Sequence, residues 1–90
     1  MNGRALVAWN LRRIRVERGL SQERLAYDSG VDRSYVGSLE RCEENPTVDI
    51  LDRLATTLSV PIAEFFVVPE KGAPPPKPLA KGRKPTRGIR

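Results

Sequence analysis

Side chains that could carry out covalent chemistry are scarce in this sequence. Its 90 residues include no histidine and a single cysteine, Cys42. Without histidine, a Cys–His or Ser–His nucleophile pair cannot form, and most zinc sites lack their usual ligands. A single cysteine also excludes a disulfide within the chain. We therefore expect neither an enzyme nor a bound cofactor or metal, and the unpaired thiol is typical of a reducing, cytoplasmic setting.

One short segment in the middle of the chain carries several side chains that could bind another molecule through hydrogen bonds. Arg33 carries a planar guanidinium that can donate two hydrogen bonds to O6 and N7 of guanine, although a phosphate contact or solvent exposure is an equal alternative. Ser34, Tyr35 and Ser38 can donate and accept hydrogen bonds. Gly37 is either a site of close approach or a tolerated weak point in a helix.

Charge divides the chain at about residue 70. Residues 70–90 contain seven Lys or Arg and one acid, a net charge of +6, so that residues 1–69 sum to −1. Residues 70–90 also contain five of the eight prolines and none of the five aromatics. Such a segment buries too little apolar surface to offset its conformational entropy. We predict a folded domain over 1–69 and a disordered, basic, Pro-rich tail over 70–90.

The elements that must position these residues are helices, because apolar residues over 1–69 recur at helical spacing and no segment alternates as a strand would. Leu11 and Ile14 lie on one face of a first helix that should end near Arg18, since Gly19 follows.

Three further helices should begin at polar N-caps and a fifth at a proline. Ser21, Asp32 and Thr47 are suitable caps, and Pro61 suits the first turn of the fifth helix. The pattern predicts a compact, all-α domain of five helices.

The connection between the second and third predicted helices is unusually short. Gly30 and Val31 alone separate them, and a glycine turn of this length makes two helices cross steeply, as in a helix-turn-helix. The stretch from Leu11 to Phe66 resembles the lambda-repressor/Cro-like helix-turn-helix regulators of the xenobiotic-response-element type. The resemblance is carried by Arg15, Leu20-Ser21-Gln22, Leu25-Ala26, Gly30-Val31, Tyr35-Val36, Leu39-Glu40, Pro46, Leu51, Leu54-Ala55 and Leu58.

The resemblance implies a transcriptional regulator, expected to be a repressor or autoregulator, that places its third helix in the major groove of double-stranded DNA. That helix runs from about Asp32 to Arg41. The expected DNA-contacting residues are Ser21, Gln22, Arg33, Ser34, Tyr35, Gly37, Ser38 and Arg12. In the family the position of Gln22 contacts the DNA backbone. The positions of Arg15 and Glu40 form a partly buried ion pair between the first and third helices.

The resemblance also implies a homodimer on a palindromic operator, because one helix-turn-helix covers only a few base pairs. Apolar candidates for the dimer interface are Ile50, Phe65, Phe66 and Val67. Some of them must also close the core, and the sequence does not divide them between the two roles. No residue identifies a small-molecule effector.

Three residues depart from the family pattern. Cys42 stands where the family usually has a glycine closing the third helix, so that either the backbone differs or some strain is tolerated. Its thiol is either inert or a redox switch. Glu43 and Glu44 occupy a loop that is often basic in related regulators, and their charge should oppose the approach of DNA, which the basic tail could offset.

Two other functions remain compatible with these residues. One is a protein-interaction module, such as an antitoxin or antiactivator component; the other is a non-specific DNA binder that depends on its tail. The apolar runs, of which 5–9 is the longest and 65–68 the next, are far too short to span a membrane, and no signal-peptide pattern opens the sequence. We therefore expect a cytoplasmic, nucleoid-associated protein.

Overall fold

The computed structural model describes residues 1–76, which are helical and contain no strand. The α-helices are α1 (Gly3–Glu17), α2 (Gln22–Ser29), α3 (Arg33–Glu40) and α4 (Val48–Leu58), and they are followed by a 3-10 helix, Ile62–Phe66. The all-α prediction is confirmed. The fifth element is a single 3-10 segment rather than an α-helix, because the extended residues Pro61 and Val67 bound it after only five residues.

Each α-helix begins at a polar residue whose side chain accepts a hydrogen bond from the first helical turn. Three of these caps were predicted, and the cap of α1 is an additional one. The amide of Ala5 donates to Asn2 at 3.0 Å, that of Arg24 to Ser21 at 2.9 Å, that of Ser34 to Asp32 at 3.0 Å and that of Ile50 to Thr47 at 3.1 Å. These bonds satisfy amides that have no partner inside the helix, and so they fix where each helix starts.

One hydrophobic core joins all five elements. The buried residues include Leu11 and Ile14 of α1, Leu25 of α2, and Val36 and Leu39 of α3. Val31 is buried in the angle between α2 and α3, while Gly30 ends α2 in the left-handed conformation with φ of 74°. The short turn therefore positions α3 across α2.

The 3-10 helix divides the two phenylalanines between the core and the surface. Phe65 is completely buried, whereas Phe66 is 44% exposed. The prediction that Phe65 contributes to a dimer interface is therefore wrong, because its ring is already enclosed by the core of one subunit.

Asn10 anchors the 3-10 helix to α1, a role that the sequence analysis did not anticipate. Its side chain is buried, and Nδ2 lies 3.0 Å from the carbonyl oxygen of Phe65 and 2.8 Å from that of Val67. The guanidinium of Arg13 donates to Oδ1 of Asn10 at 3.1 Å. Asn10 thus supplies hydrogen bonds to backbone carbonyls that would otherwise lose water without gaining a partner.

The described part of the predicted tail contains a turn at Lys71–Gly72, in which the amide of Ala73 donates to the carbonyl of Glu70 at 2.9 Å. The rest of that predicted segment, 77–90, lies outside the described residues, as does its predicted disorder. Within residues 1–76, no helix has the length and apolar character needed to cross a membrane.

Candidate nucleic-acid interface

The outward face of α3 presents the polar residues expected there. Val36 and Leu39 point into the core, while Arg33 and Ser34 are exposed and Ser38 is half-buried. This helix is held against the rest of the fold by its apolar face. Its polar face therefore remains available to a ligand.

Gly37 lies at the centre of this polar face beneath three longer side chains. A Cβ atom at Gly37 would lie 3.3 Å from Nη1 of Arg41, 3.4 Å from Nη1 of Arg33 and 3.6 Å from Oε1 of Gln22. Gly37 is buried for this reason, although it does not face the core. The missing side chain provides the space in which the two guanidinium groups and one amide converge.

Arg41 is a member of this group that the sequence analysis did not include. Its Nη2 donates to Oγ of Ser38 at 3.2 Å, and its Nε lies 3.1 Å from a carboxylate oxygen of Glu43. The spacing of Arg33, Gly37 and Arg41 at i, i+4 and i+8 is the signal that could have identified it, since such residues share one helix face.

Glu43 therefore has a partner in the structure. Its carboxylate compensates the charge of Arg41, and the two side chains are more than half exposed. The turn that brings them together closes α3 with Cys42 in the left-handed conformation at φ of 63°. Of the two alternatives left by the sequence, the structure thus shows the strained backbone.

The beginning of α2 lies beside α3. Ser21 uses its hydroxyl to cap the helix, and Nε2 of Gln22 donates to Oε1 of Glu40 at 3.0 Å. Gln22 thus reaches α3 from the neighbouring helix. Backbone amides at a helix N-terminus favour an anion, such as a DNA phosphate.

Glu40 is the centre of a buried polar cluster that connects three helices. Nε and Nη2 of Arg15 bind the two carboxylate oxygens at 2.6 and 2.9 Å, and Nη1 donates to the carbonyl of Leu20 at 2.7 Å. The side chains of Arg15 and Glu40 are only 6% and 2% exposed. This two-pronged geometry is the strongest form of the interaction between arginine and a carboxylate.

Arg12 extends from this cluster toward the surface. Its Nε lies 4.0 Å from Oε1 of Glu40 and makes no hydrogen bond to the described residues, while the side chain as a whole is 38% exposed. Arg12 therefore belongs in part to the Glu40 cluster rather than being a fully solvated residue of α1.

Tyr35 lies at the edge of α3, half-buried against the core. Burial raises the pKa of its phenol above the ordinary value, and the negative charge of Glu44 raises this pKa further. A tyrosine phenol is protonated at neutral pH even at its ordinary pKa, so the hydroxyl can donate a hydrogen bond.

The exposed apolar side chains include Val48 and the consecutive residues Phe66, Val67 and Val68, and we call the last three the apolar surface. Ile50, predicted as an interface residue, is only partly exposed and packs against the core. Val48 begins α4 and was not among the predicted interface residues.

Two short helices joined at Gly30, the second of which exposes a cationic polar face, are the defining features of a helix-turn-helix protein. Comparison with known proteins agrees: residues 11–65 match the HTH_3 family, described as helix-turn-helix, and this chain belongs to that family.

Two relatives and a solved structure illustrate the similarity. SutR, an HTH-type transcriptional regulator of Escherichia coli (strain K12), is 41% identical over 64 residues, which are 71% of this chain and 36% of SutR. A hypothetical transcription factor of Neisseria meningitidis serogroup B is 37% identical over 68 residues, 76% of this chain and 64% of that protein. The crystal structure of the Neisseria hypothetical transcription factor NHTF matches with a TM-score of 0.74 at 36% identity, over 78% of this chain and 80% of that one.

The restriction-modification controller protein C.Esp1396I was solved as a tetramer in complex with its natural 35 base-pair operator. Its TM-score with this chain is 0.67 at 35% identity, over 73% of this chain and 87% of that one. The present chain spans about a third of the length of SutR and less than two thirds of the Neisseria protein.

Proposed function

We propose that this protein is a sequence-specific, double-stranded DNA-binding transcriptional regulator that inserts α3 into the major groove. The observation that carries the proposal is the convergence of Arg33, Arg41 and Gln22 over Gly37 on the outward face of α3. Two guanidinium groups this close repel each other, and Glu43 compensates the charge of Arg41 only. Further acceptors or anions are therefore favoured beside them, and major-groove guanine edges and phosphates provide both.

Base contacts are assigned to the middle and beginning of α3. Arg33 is the principal candidate for a two-bond contact with guanine, and Ser34 and Ser38 supply shorter donors and acceptors. Gly37 keeps the helix backbone close to the floor of the groove.

Phosphate contacts are assigned to the residues around this centre. Ser21 and Gln22 lie at the beginning of α2, the protonated hydroxyl of Tyr35 lies at the edge of α3, and Arg12 extends from the Glu40 cluster. These contacts position α3 without determining the sequence that it binds.

We further propose that two copies bind a palindromic operator, with the apolar surface as the region of contact. Phe66 and Val67 are each 44% exposed and Val68 is 74% exposed, an apolar grouping that association would remove from water. The tetrameric operator complex of the similar protein C.Esp1396I supports this proposal. Repression or autoregulation at the nucleoid is the regulatory role that we assign.

The domain limits are part of the same proposal. We assign DNA recognition to residues 1–69 and an accessory, sequence-independent attraction to the basic segment 70–90.

Selection from a random duplex library by the full chain, followed by fluorescence anisotropy with the selected and a shuffled duplex, tests the proposal. The selected duplex should bind at least 10-fold more tightly, since specific and non-specific affinities of such proteins usually differ by about 10³-fold or more. Arg33→Ala should reduce that preference. Arg53→Ala removes the same charge from an exposed position of α4 and should leave the preference unchanged. If no sequence is enriched, the protein is not a sequence-specific regulator.

A further inference from the structure

We infer that Arg41 is a second specificity-determining residue, which contacts a guanine near the one bound by Arg33, and that Glu43 is the positioning residue that orients it. This inference rests on the proposed function, because it concerns how the same face of α3 distinguishes base pairs.

The position of the Arg41 guanidinium favours a base contact. Arg41 caps the C-terminus of α3, yet its Nη1 turns back along the helix to within 3.3 Å of the Cβ position of Gly37. Nη1 of Arg33 lies 3.4 Å from the same point. The two groups are therefore no farther apart than about two base-pair steps, at about 3.4 Å per step. Guanines at neighbouring or next-neighbouring positions can accept from both.

The ion pair and the hydrogen bond of Arg41 leave the end of its guanidinium available. Nε faces Glu43 at 3.1 Å and Nη2 donates one hydrogen to Ser38 at 3.2 Å. Nη1 makes no hydrogen bond to the described residues, and Nη2 retains a second hydrogen. These two nitrogens form the fork that matches O6 and N7 of guanine.

The ion pair with Glu43 also argues against a simple phosphate contact. A phosphate contact depends mainly on charge, and the carboxylate of Glu43 compensates the charge of Arg41. A guanine contact depends on the direction of the hydrogen bonds, which the ion pair restrains. Glu43, expected from the sequence to oppose DNA, thus has a role in recognition.

Glu44 provides a matched control for Glu43. It is the next residue of the same loop, and it forms no ion pair within residues 1–76. Glu43→Gln and Glu44→Gln therefore remove the same charge from adjacent positions, but only the first removes an ion pair with Arg41.

The test uses the full chain, the duplex obtained by selection and a panel of its single base-pair variants, measured by anisotropy over a salt series. Arg41→Ala should abolish discrimination at one G·C pair, which differs from the pair affected by Arg33→Ala. The affinity ratio between the selected duplex and its variant at that pair should fall by roughly 5- to 150-fold. Glu43→Gln should weaken discrimination at the same pair as Arg41→Ala while increasing affinity for a shuffled duplex. Glu44→Gln should increase affinity for all duplexes by the same factor.

Two results would overturn the inference. In the first, Arg41→Ala lowers affinity for every duplex equally and reduces the salt slope by about 1, which is the behaviour of a phosphate contact. In the second, Glu43→Gln and Glu44→Gln have the same effect at every base pair. Failure of the wild-type chain to enrich any sequence would instead refute the proposed function, so the two failures are distinguishable.

Discussion

At the scale of single residues, the most consequential interaction is the ion pair between Arg15 and Glu40. Both side chains are almost fully removed from water, and the carboxylate of Glu40 also accepts from Gln22. Leaving one partner of such a pair alone in the interior costs more than the pair itself contributes, because the remaining charge keeps its desolvation penalty. The pair therefore links the stability of the domain to the orientation of α3.

Arg15→Ala should lower the free energy of unfolding by about 3–5 kcal/mol, because Glu40 would remain buried without its two-bond partner. Arg24→Ala is the matched control, since Arg24 binds Asp28 at 3.0 Å on the surface and its side chain is 64% exposed. An exposed pair of this kind contributes less than about 1 kcal/mol. Urea denaturation of both variants measures the difference, and equal small effects would show that the Arg15 pair is not structural.

Gly37→Ala separates stability from recognition at one residue. The substitution should raise the free energy of unfolding by up to about 1 kcal/mol, because alanine favours the helix over glycine and the contacting atoms are ends of flexible side chains. It should also displace both guanidinium groups and reduce affinity for the selected operator by about 10-fold. Thermal unfolding and anisotropy measure the two effects.

Thr56→Ala, at an exposed position of α4, is the control for Gly37→Ala, because it should improve helix stability without changing DNA affinity. Unchanged operator affinity in Gly37→Ala would show that the glycine is only a weak point in α3.

At the scale of elements, the end of α3 determines where the loop with Glu43 begins. The amide of Cys42 donates to the carbonyl of Leu39 at 3.0 Å, and that of Glu43 donates to Ser38 at 2.9 Å. These two bonds form a Schellman motif, which requires the left-handed conformation at Cys42. Ser59 ends α4 in the same way, with φ of 59°. A side chain is tolerated at both positions because the paired amides and carbonyls offset the strain.

Cys42→Gly should raise the free energy of unfolding by about 0.5–1 kcal/mol, because glycine removes the left-handed strain. Glycine also loses more backbone entropy on folding than cysteine does, and this loss offsets part of the gain. Cys42→Ala retains the Cβ and should leave stability nearly unchanged. Chemical denaturation of the two variants checks the difference. A similar change in both variants would assign the effect to loss of the thiol instead of to backbone strain.

At the scale of the whole molecule, the charge of +5 is distributed unevenly. Residues 70–90 hold a net +6, whereas residues 1–69 are close to neutral. Within residues 1–76, the hydrogen bond nearest the C-terminus that ties the end of the fold to α1 is the one from Asn10 to the carbonyl of Val67. A chain ending at residue 69 therefore retains this contact.

The truncated chain 1–69 should keep its preference for the selected operator over a shuffled duplex but bind both more weakly than the full chain. The difference in affinity between the two chains should diminish as salt increases. The reason is that the slope of log affinity against log salt concentration becomes shallower by about 0.9 for each phosphate contact removed. Anisotropy of both chains over a salt series measures the slope and the preference. Loss of the preference on truncation would support the hypothesis of a non-specific, tail-dependent binder.

The sequence by itself determined the features that depend on neighbouring residues. Ser21, Asp32 and Thr47 cap their own helices, and Gly30 takes a conformation that costs other residues strain, so α2, α3, α4 and the turn could all be predicted. The ion pair between Arg15 and Glu40 joins residues 25 positions apart, so local sequence patterns did not predict it and only the family resemblance implied it.

Only the tertiary structure decided which side chains meet across elements. Packing against the core turned Phe65 inward and Phe66 outward, although the two residues are adjacent and chemically identical. Asn10 gained its role from carbonyls 55 and 57 residues away, and Arg41 gained its partner Glu43 from the left-handed turn at Cys42. Helical periodicity is a local property of the chain, whereas burial and hydrogen-bond pairing depend on how the helices are brought together.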